Sequence, residues 1–296
     1  MCTVSYGEGR ERTLRRLQAE EEAATGAPSM IPYPRNDQFV GRESQLTDLE
    51  AQLFRDKQTT TTAIVGPGGT GKSQLALELA YRVRQEIKSC SVFWVNAGDM
   101  ESLHQGYSGI AQKLDLAGWD SEKEDVKALV KQHLSTKGAG QWLLVLDGVE
   151  NISLRPVGLP VAKTTSLVDY LPWSGLCAIV FTTISRDKAE RLALRNTVEL
   201  GELAPDTAQT MLENYLSVPI PLSEQQEATL LLKELSYLPL SIVQAAAYSN
   251  ARGSTMQEYR SQLHTQTEQT FEHCSQLCDN MLHEHSTRRR KSWRCK

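Results

Sequence analysis

Between Thr59 and Leu200 short apolar runs alternate with stretches whose apolar residues recur at helical spacing. The runs are Thr61–Val65, Ser91–Ala97, Trp142–Asp147, Cys177–Thr183 and Thr197–Leu200. Each is brief, continuous and rich in β-branched or aromatic residues, as in Val92-Phe93-Trp94-Val95 and Ala178-Ile179-Val180-Phe181. That pattern suits strands buried on both faces, the signature of a parallel sheet. The intervening periodic stretches predict helices at Lys72–Gln85, Met100–Leu114, Glu122–Leu134 and Asp187–Leu194. In the first, Leu75, Leu79 and Val83 share one face, with Ala76 and Ala80 beside them. Strand–helix alternation of this kind predicts an α/β fold, three-layered around a parallel five-stranded sheet.

Beyond Leu200 the pattern becomes helical only. Pro205 suits the first turn of a helix running to about Leu216. Ser223 and Gln226 form a capping-box pattern ahead of Leu230, Leu231, Leu232 and Leu235. Pro239 opens a helix through Ile242, Val243 and Ala246, and Ser254 or Thr255 caps a last one near Met256–Leu263. The expected organisation is a flexible lead over 1–36, an α/β domain over 37–203, a small all-helical subdomain over 204–263 and a poorly ordered tail over 264–296. Breakers Gly26, Pro28, Pro32 and Pro34 place the onset of order near Phe39. No internal repeat is visible.

Composition narrows the function classes. The 296 residues allow two domains at roughly 150 residues each. A net charge of −4 argues against a dedicated nucleic-acid binder. No apolar run approaches the ~20 residues of a membrane span, and the charged N-terminus is neither a secretory signal nor a myristoylation site. The expectation is a soluble, cytoplasmic protein. Among its six cysteines, Cys177 sits in an apolar run, where a thiol acts as a small hydrophobe. Cys274, Cys278, Cys295, His273, His283 and His285 are zinc-ligand types in a spacing that matches no regular zinc pattern. The Arg288–Lys291 run is weighed as a solvated terminal charge cluster.

One segment carries chemistry outright. Gly66-Pro67-Gly68-Gly69-Thr70-Gly71-Lys72-Ser73 matches G-x-x-x-x-G-K-[ST], between a predicted strand and a predicted helix. Its glycines let main-chain N–H groups approach phosphate oxygens, and the helix aims its positive end at the same anion. Lys72 would reach the β- and γ-phosphates, and Ser73 would ligate Mg²⁺. Asp147, ending the apolar run Trp142–Asp147, supplies the acidic partner for that Mg²⁺. Hydrolysis needs a further group acting on water. Gly148 cannot provide one, and Glu150 is the nearest other carboxylate.

Taken in order, these motifs resemble the NB-ARC domain of the STAND signalling NTPases, the family of plant and fungal NLR immune receptors. Ile31-Pro32-Tyr33-Pro34-Arg35-Asn36 followed by Phe39-Val40-Gly41-Arg42-Glu43 is most similar to the fungal branch. Phe93-Trp94-Val95-Asn96-Ala97 looks like the family's second strand, and Leu238-Pro239-Leu240 like its G-L-P-L motif. The resemblance implies a site in which Val40 and Arg42 lie on the base side and Gly66, Gly68, Gly69, Thr70, Gly71, Lys72, Ser73 and Gln74 hold the phosphates. It implies Pro239 packing on the nucleotide from the helical subdomain, and a γ-phosphate sensor at Thr183 and Arg186. The family's T-T-R sensor is Thr182-Thr183-Ile184 here, and Arg186 is the candidate replacement. The acidic pair after the Mg²⁺ strand is reduced to Asp147-Gly148, and the G-L-P-L glycine is Tyr237.

The implied function is an ADP- or ATP-binding signalling switch with Mg²⁺ and little hydrolysis, oligomerising with itself or with other NLR-like proteins. A slow ATPase using Glu150, and a degenerate receptor fragment acting only through protein contacts, are the alternatives. With no winged-helix domain, Met-His-Asp motif or C-terminal repeats, the chain reads as truncated after its first helical subdomain.

Overall fold

The computed structural model describes residues 26–54, 59–121, 124–152, 154, 166–175, 177–194 and 196–265. The cysteine- and histidine-bearing tail, the Arg288–Lys291 cluster and residues 1–25 of the lead lie outside them. The described residues fall into two compact units, one ending at Glu202 and the other beginning at Leu203.

In the first unit the sheet strands are β1 (Ser29–Met30), β2 (Thr60–Val65), β3 (Ser91–Asn96), β4 (Trp142–Asp147), β5 (Ala178–Thr183) and β6 (Thr197–Glu199). Their order is β1-β3-β4-β5-β2-β6, with every neighbouring pair parallel. The helices are α1 (Glu43–Gln52), α2 (Lys72–Glu86), α3 (Met100–Lys113), α4 (Val126–Leu134) and α5 (Arg186–Ala193).

The continuous apolar runs are explained by a core on each face of the sheet. Trp142, Leu144 and Leu146 of β4 join one core with residues of α3, α4 and α5. Leu143 and Val145 of the same strand join the other, with residues of α1 and α2. β3 divides in the same way, Phe93 and Val95 to one side and Val92 and Trp94 to the other. A strand packed on both faces has no polar face to alternate with. Trp142 is fully buried, and its indole N–H is satisfied by the carbonyl of Leu134 at 2.9 Å. Cys177 and Cys90 are buried free thiols, and burial pushes Cys90 up to about 12.

Several expectations from the sequence need correction. Among the described residues the sheet has six strands instead of five, and the chain joins it well before Phe39. The extra strand, β1, is two residues long and sits at the sheet edge, with the Val92 N–H donating to the carbonyl of Pro28 at 3.3 Å. Prolines on either side hide it from any periodicity reading, yet an edge strand tolerates them. The third predicted helix also starts late, at Val126, because Asp125 accepts from the Lys127 N–H and caps it there.

The second unit contains α6 (Pro205–Tyr215), α7 (Gln225–Glu234), α8 (Pro239–Arg252) and α9 over 256–265. Pro205 and Pro239 occupy first-turn positions as expected. The Ser223–Gln226 capping box does not form. A 3-10 turn over Leu222–Glu224 precedes α7 instead, and the Glu224 carboxylate accepts from the Met256 N–H at 2.9 Å. Thr255 does cap the last helix, reciprocally. Its hydroxyl accepts from the Glu258 N–H at 3.1 Å, and its own N–H donates to the Glu258 carboxylate at 2.9 Å.

Candidate functional site

The strand order decides what meets at the carboxyl ends of the sheet. β2, which runs into the glycine loop, lies between β5 and β6. The loop therefore emerges with Thr183 level on one side of Val65 and Glu199 on the other. The Gly66 N–H donates to the carbonyl of Thr183 at 3.3 Å, and the Leu200 N–H donates to that of Val65 at 2.8 Å. A Cβ at Gly66 would fall 2.2 Å from the Leu200 carbonyl oxygen, so only glycine fits this crossing.

Within the loop the buried Thr70 hydroxyl donates to the carbonyl of Pro67 at 2.9 Å. Gly71 caps α2 in the left-handed conformation. Lys72 Nζ donates to the carbonyls of Gly66 and Pro67 at 2.9 and 2.8 Å. Burial draws the Lys72 ammonium below its ordinary pKa, opposed by the charges of Glu150 and Asp147. Gly68 has open space where a side chain would stand.

Ser73 Oγ donates to Asp147 Oδ1 at 2.8 Å, joining the start of α2 to the end of β4. Thr182 of β5, between them in the sheet, donates to the same oxygen at 2.5 Å and accepts from the Gly148 N–H at 2.8 Å. A serine hydroxyl beside an aspartate is an all-oxygen donor set of the kind Mg²⁺ favours. By sequence, Thr182 falls only in the sensor motif. Its contact with Asp147 depends on β5 lying beside β4, which sequence order does not reveal. Gly148 has φ 79°, a conformation that side chains rarely adopt, so the turn itself calls for glycine after Asp147.

The family model for the NB-ARC domain matches residues 42–218, more than half of the chain. The chain belongs to the NB-ARC family. It is 33% identical over 237 residues to a nucleotide-binding leucine-rich repeat (NLR)-like protein of Hyaloscypha variabilis, covering 77% of this chain and 24% of that protein. Disease resistance protein SUMM2 of Arabidopsis thaliana is 27% identical, over 62% of this chain and 20% of that protein. A solved STAND protein with a tetratricopeptide repeat sensor from Pyrococcus horikoshii aligns at 17% identity and TM-score 0.39, over 71% of this chain and 30% of that one. This NB-ARC chain thus spans about a quarter or less of the curated relatives named here. Membership makes it a nucleotide-binding NB-ARC module. No described helix is long and apolar enough to cross a membrane.

The remaining predicted site residues of the NB-ARC chain are distributed as follows. Val40 and Arg42 lie on a loop entering α1, where Gly41 and Arg42 are both left-handed, at φ 74° and 64°. Arg42 Nη2 donates to the carbonyl of Gly201 at 2.6 Å, and burial lowers the guanidinium pKa. Gln74 Oε1 accepts from Asn36 Nδ2 at 3.0 Å. Glu150 accepts from the Ile184 N–H at 2.7 Å and from the buried Thr183 hydroxyl at 3.2 Å. Lys188 fixes that segment by donating to the carbonyls of Glu150 and Ile152 at 2.5 and 2.9 Å. Arg186 is 66% exposed and pairs with Glu199 at 2.6 Å. Pro239 is the first residue of α8 in the second unit.

Proposed function

We propose that this NB-ARC chain is the nucleotide-holding part of a signalling switch, taking ADP or ATP with Mg²⁺ and turning it over slowly or not at all. The observation that carries the reading is the convergence of Lys72, Ser73 and Asp147 where β2 gives way to α2. Lys72 exchanges its two carbonyl partners for β- and γ-phosphate oxygens, and the N–H groups at the start of α2 face the same anion. Ser73 and Asp147 would hold the Mg²⁺, which would neutralise phosphate charge. Val40 and Arg42 line the base side, and Gln74 joins the residues that hold the phosphates. Thr183 and Arg186 report the γ-phosphate.

Slow turnover is supported by Glu150. Both its oxygens accept hydrogen bonds from the Thr183–Ile184 segment, which favours anchoring that segment over activating water. A second reading is a slow ATPase with Glu150, three residues beyond Asp147, acting on water. In keeping with the NLR-like and disease-resistance proteins it resembles, the module would serve immune signalling in the cytoplasm through homo- or hetero-oligomers of NLR-like chains.

Mass spectrometry of nucleotide retained by the purified chain, with thermal melting against Mg·ADP and Mg·ATP, tests the proposal. Ligand at a hundred times its Kd should add about 2.7 kcal/mol of stability. No retained nucleotide and no melting shift at millimolar concentrations would overturn it in favour of a fragment acting only through protein contacts.

A further inference from the structure

The helix that begins with Lys72 and Ser73 has a second set of partners along its length. Gln74, Glu78, Tyr81 and Gln85 recur at helical spacing, and every one of them receives the Tyr33–Asn36 segment. Asn36 donates to Gln74, Arg35 donates to Glu78 and Gln85, and the Tyr81 hydroxyl donates to the carbonyl of Tyr33. The Arg35–Glu78 contact is a fork, at 2.9 and 2.7 Å, the geometry in which guanidinium and carboxylate bind most strongly. Glu78 is only 5% exposed, and a carboxylate so buried demands partners.

Its second partner is Arg82, at 3.0 Å. Arg82 extends to Glu43 through two contacts of 3.0 Å, and to Glu50 at 3.5 Å. Glu43 is the first residue of α1. The chain therefore leaves α2 at Arg35 and Asn36, runs through residues 37–42, and returns to α2 at Glu43. The loop so closed contains Val40, Gly41 and Arg42. It opens with the Asn36 side chain accepting from the Gln38 N–H at 3.1 Å, and it ends in the two consecutive left-handed residues. A non-glycine residue in that conformation persists where its surroundings over-determine it.

We infer that Arg35, Glu78 and Arg82 are positioning residues for the base side of the nucleotide site, stapling both ends of the 37–42 loop to the phosphate-loop helix. The inference rests on the proposed nucleotide site. It adds that one rigid helix carries both halves of that site, phosphates at its N-terminus and base-side loop along its flank.

Calorimetric titration of the full chain with Mg·ADP and with Mg·tripolyphosphate, a probe that has phosphates but no base, separates the two claims. Arg35→Ala should weaken Mg·ADP about 2–30-fold, the range of contacts acting through a network, and leave Mg·tripolyphosphate unchanged. Arg35→Lys, which restores a charge facing Glu78 without the fork, should recover only part of the loss. Glu43→Gln, at an exposed residue, should reproduce the selective loss from the other end of the staple. Equal weakening of both probes, or unaltered Mg·ADP affinity in both Arg35→Ala and Glu43→Gln, would overturn the inference. Failure of the wild-type chain to bind either probe would remove the nucleotide site itself, and the inference with it.

Discussion

Ser73 Oγ and Asp147 Oδ1 lie 2.8 Å apart, although 74 residues separate them in the chain. The contact exists because β5 fills the gap between β2 and β4 and brings Thr182 to the same carboxylate oxygen. Thr182 is 1% exposed and both donates and accepts there. Thr182→Val should leave the Gly148 N–H without its acceptor, costing about 1–3 kcal/mol of stability. It should also weaken the Mg²⁺ dependence of nucleotide affinity, while Thr182→Ser restores both. Denaturant melts and titrations with and without Mg²⁺ provide the check.

Lys72→Ala should remove charge-assisted contacts worth about 1.5–3 kcal/mol, or about 10–150-fold in Mg·ADP affinity. Lys72 spends its hydrogen bonds on carbonyls of its own loop, so the folded chain should survive the change. Calorimetry on the variant reads the loss directly, and unchanged affinity would count against the site.

Two glycines of the loop should behave differently. Gly66→Ala forces a Cβ to within 2.2 Å of the Leu200 carbonyl, an overpacking expected to cost roughly 1–3 kcal/mol. Gly68→Ala meets open space and should fold as the wild type does. Any affinity lost in Gly68→Ala then reports the close approach of phosphate to the backbone. Melting temperatures and Kd values measured side by side distinguish the two effects.

Glu78 gives a pH dependence. Hydrogen bonds from Arg35 hold its carboxyl below the usual range against the effect of burial, and Arg82 adds to the depression. A group whose pKa is depressed in the folded state contributes stability above its unfolded pKa and loses it as pH falls through the folded one. The wild type should therefore be more stable than Glu78→Gln at pH 7. The difference should shrink as pH drops below the usual glutamate value of about 4.3. Urea melts of both proteins between pH 3 and pH 7 test this, and a gap independent of pH would contradict it.

Glu150→Gln keeps an oxygen that can accept from the Ile184 N–H. If the carboxylate only anchors the Thr183–Ile184 segment, single-turnover phosphate release should match the wild type within about twofold. A fall of 100-fold or more, the scale of general-base loss, would favour the slow-ATPase reading.

The order of runs and periodic stretches marked the α/β class, five of the six described strands and the glycine-loop motif, because strands buried on both faces and a glycine-rich loop leave local marks. The place of Asp147 at the end of β4 was legible for the same reason, as the acidic end of an apolar run. What sequence could not supply was adjacency. That β5 lies beside β4, so that Thr182 meets Asp147, follows from the crossover order, which no local spacing encodes. The Tyr33–Asn36 segment looked like loose chain because prolines break every period, yet its hydrogen bonds and ion pairs are made to α2, 38 or more residues away. Sequence alone determined the glycine-loop motif. Only the tertiary structure decided what stands around it, because the contacts concerned are long-range and form when the sheet does.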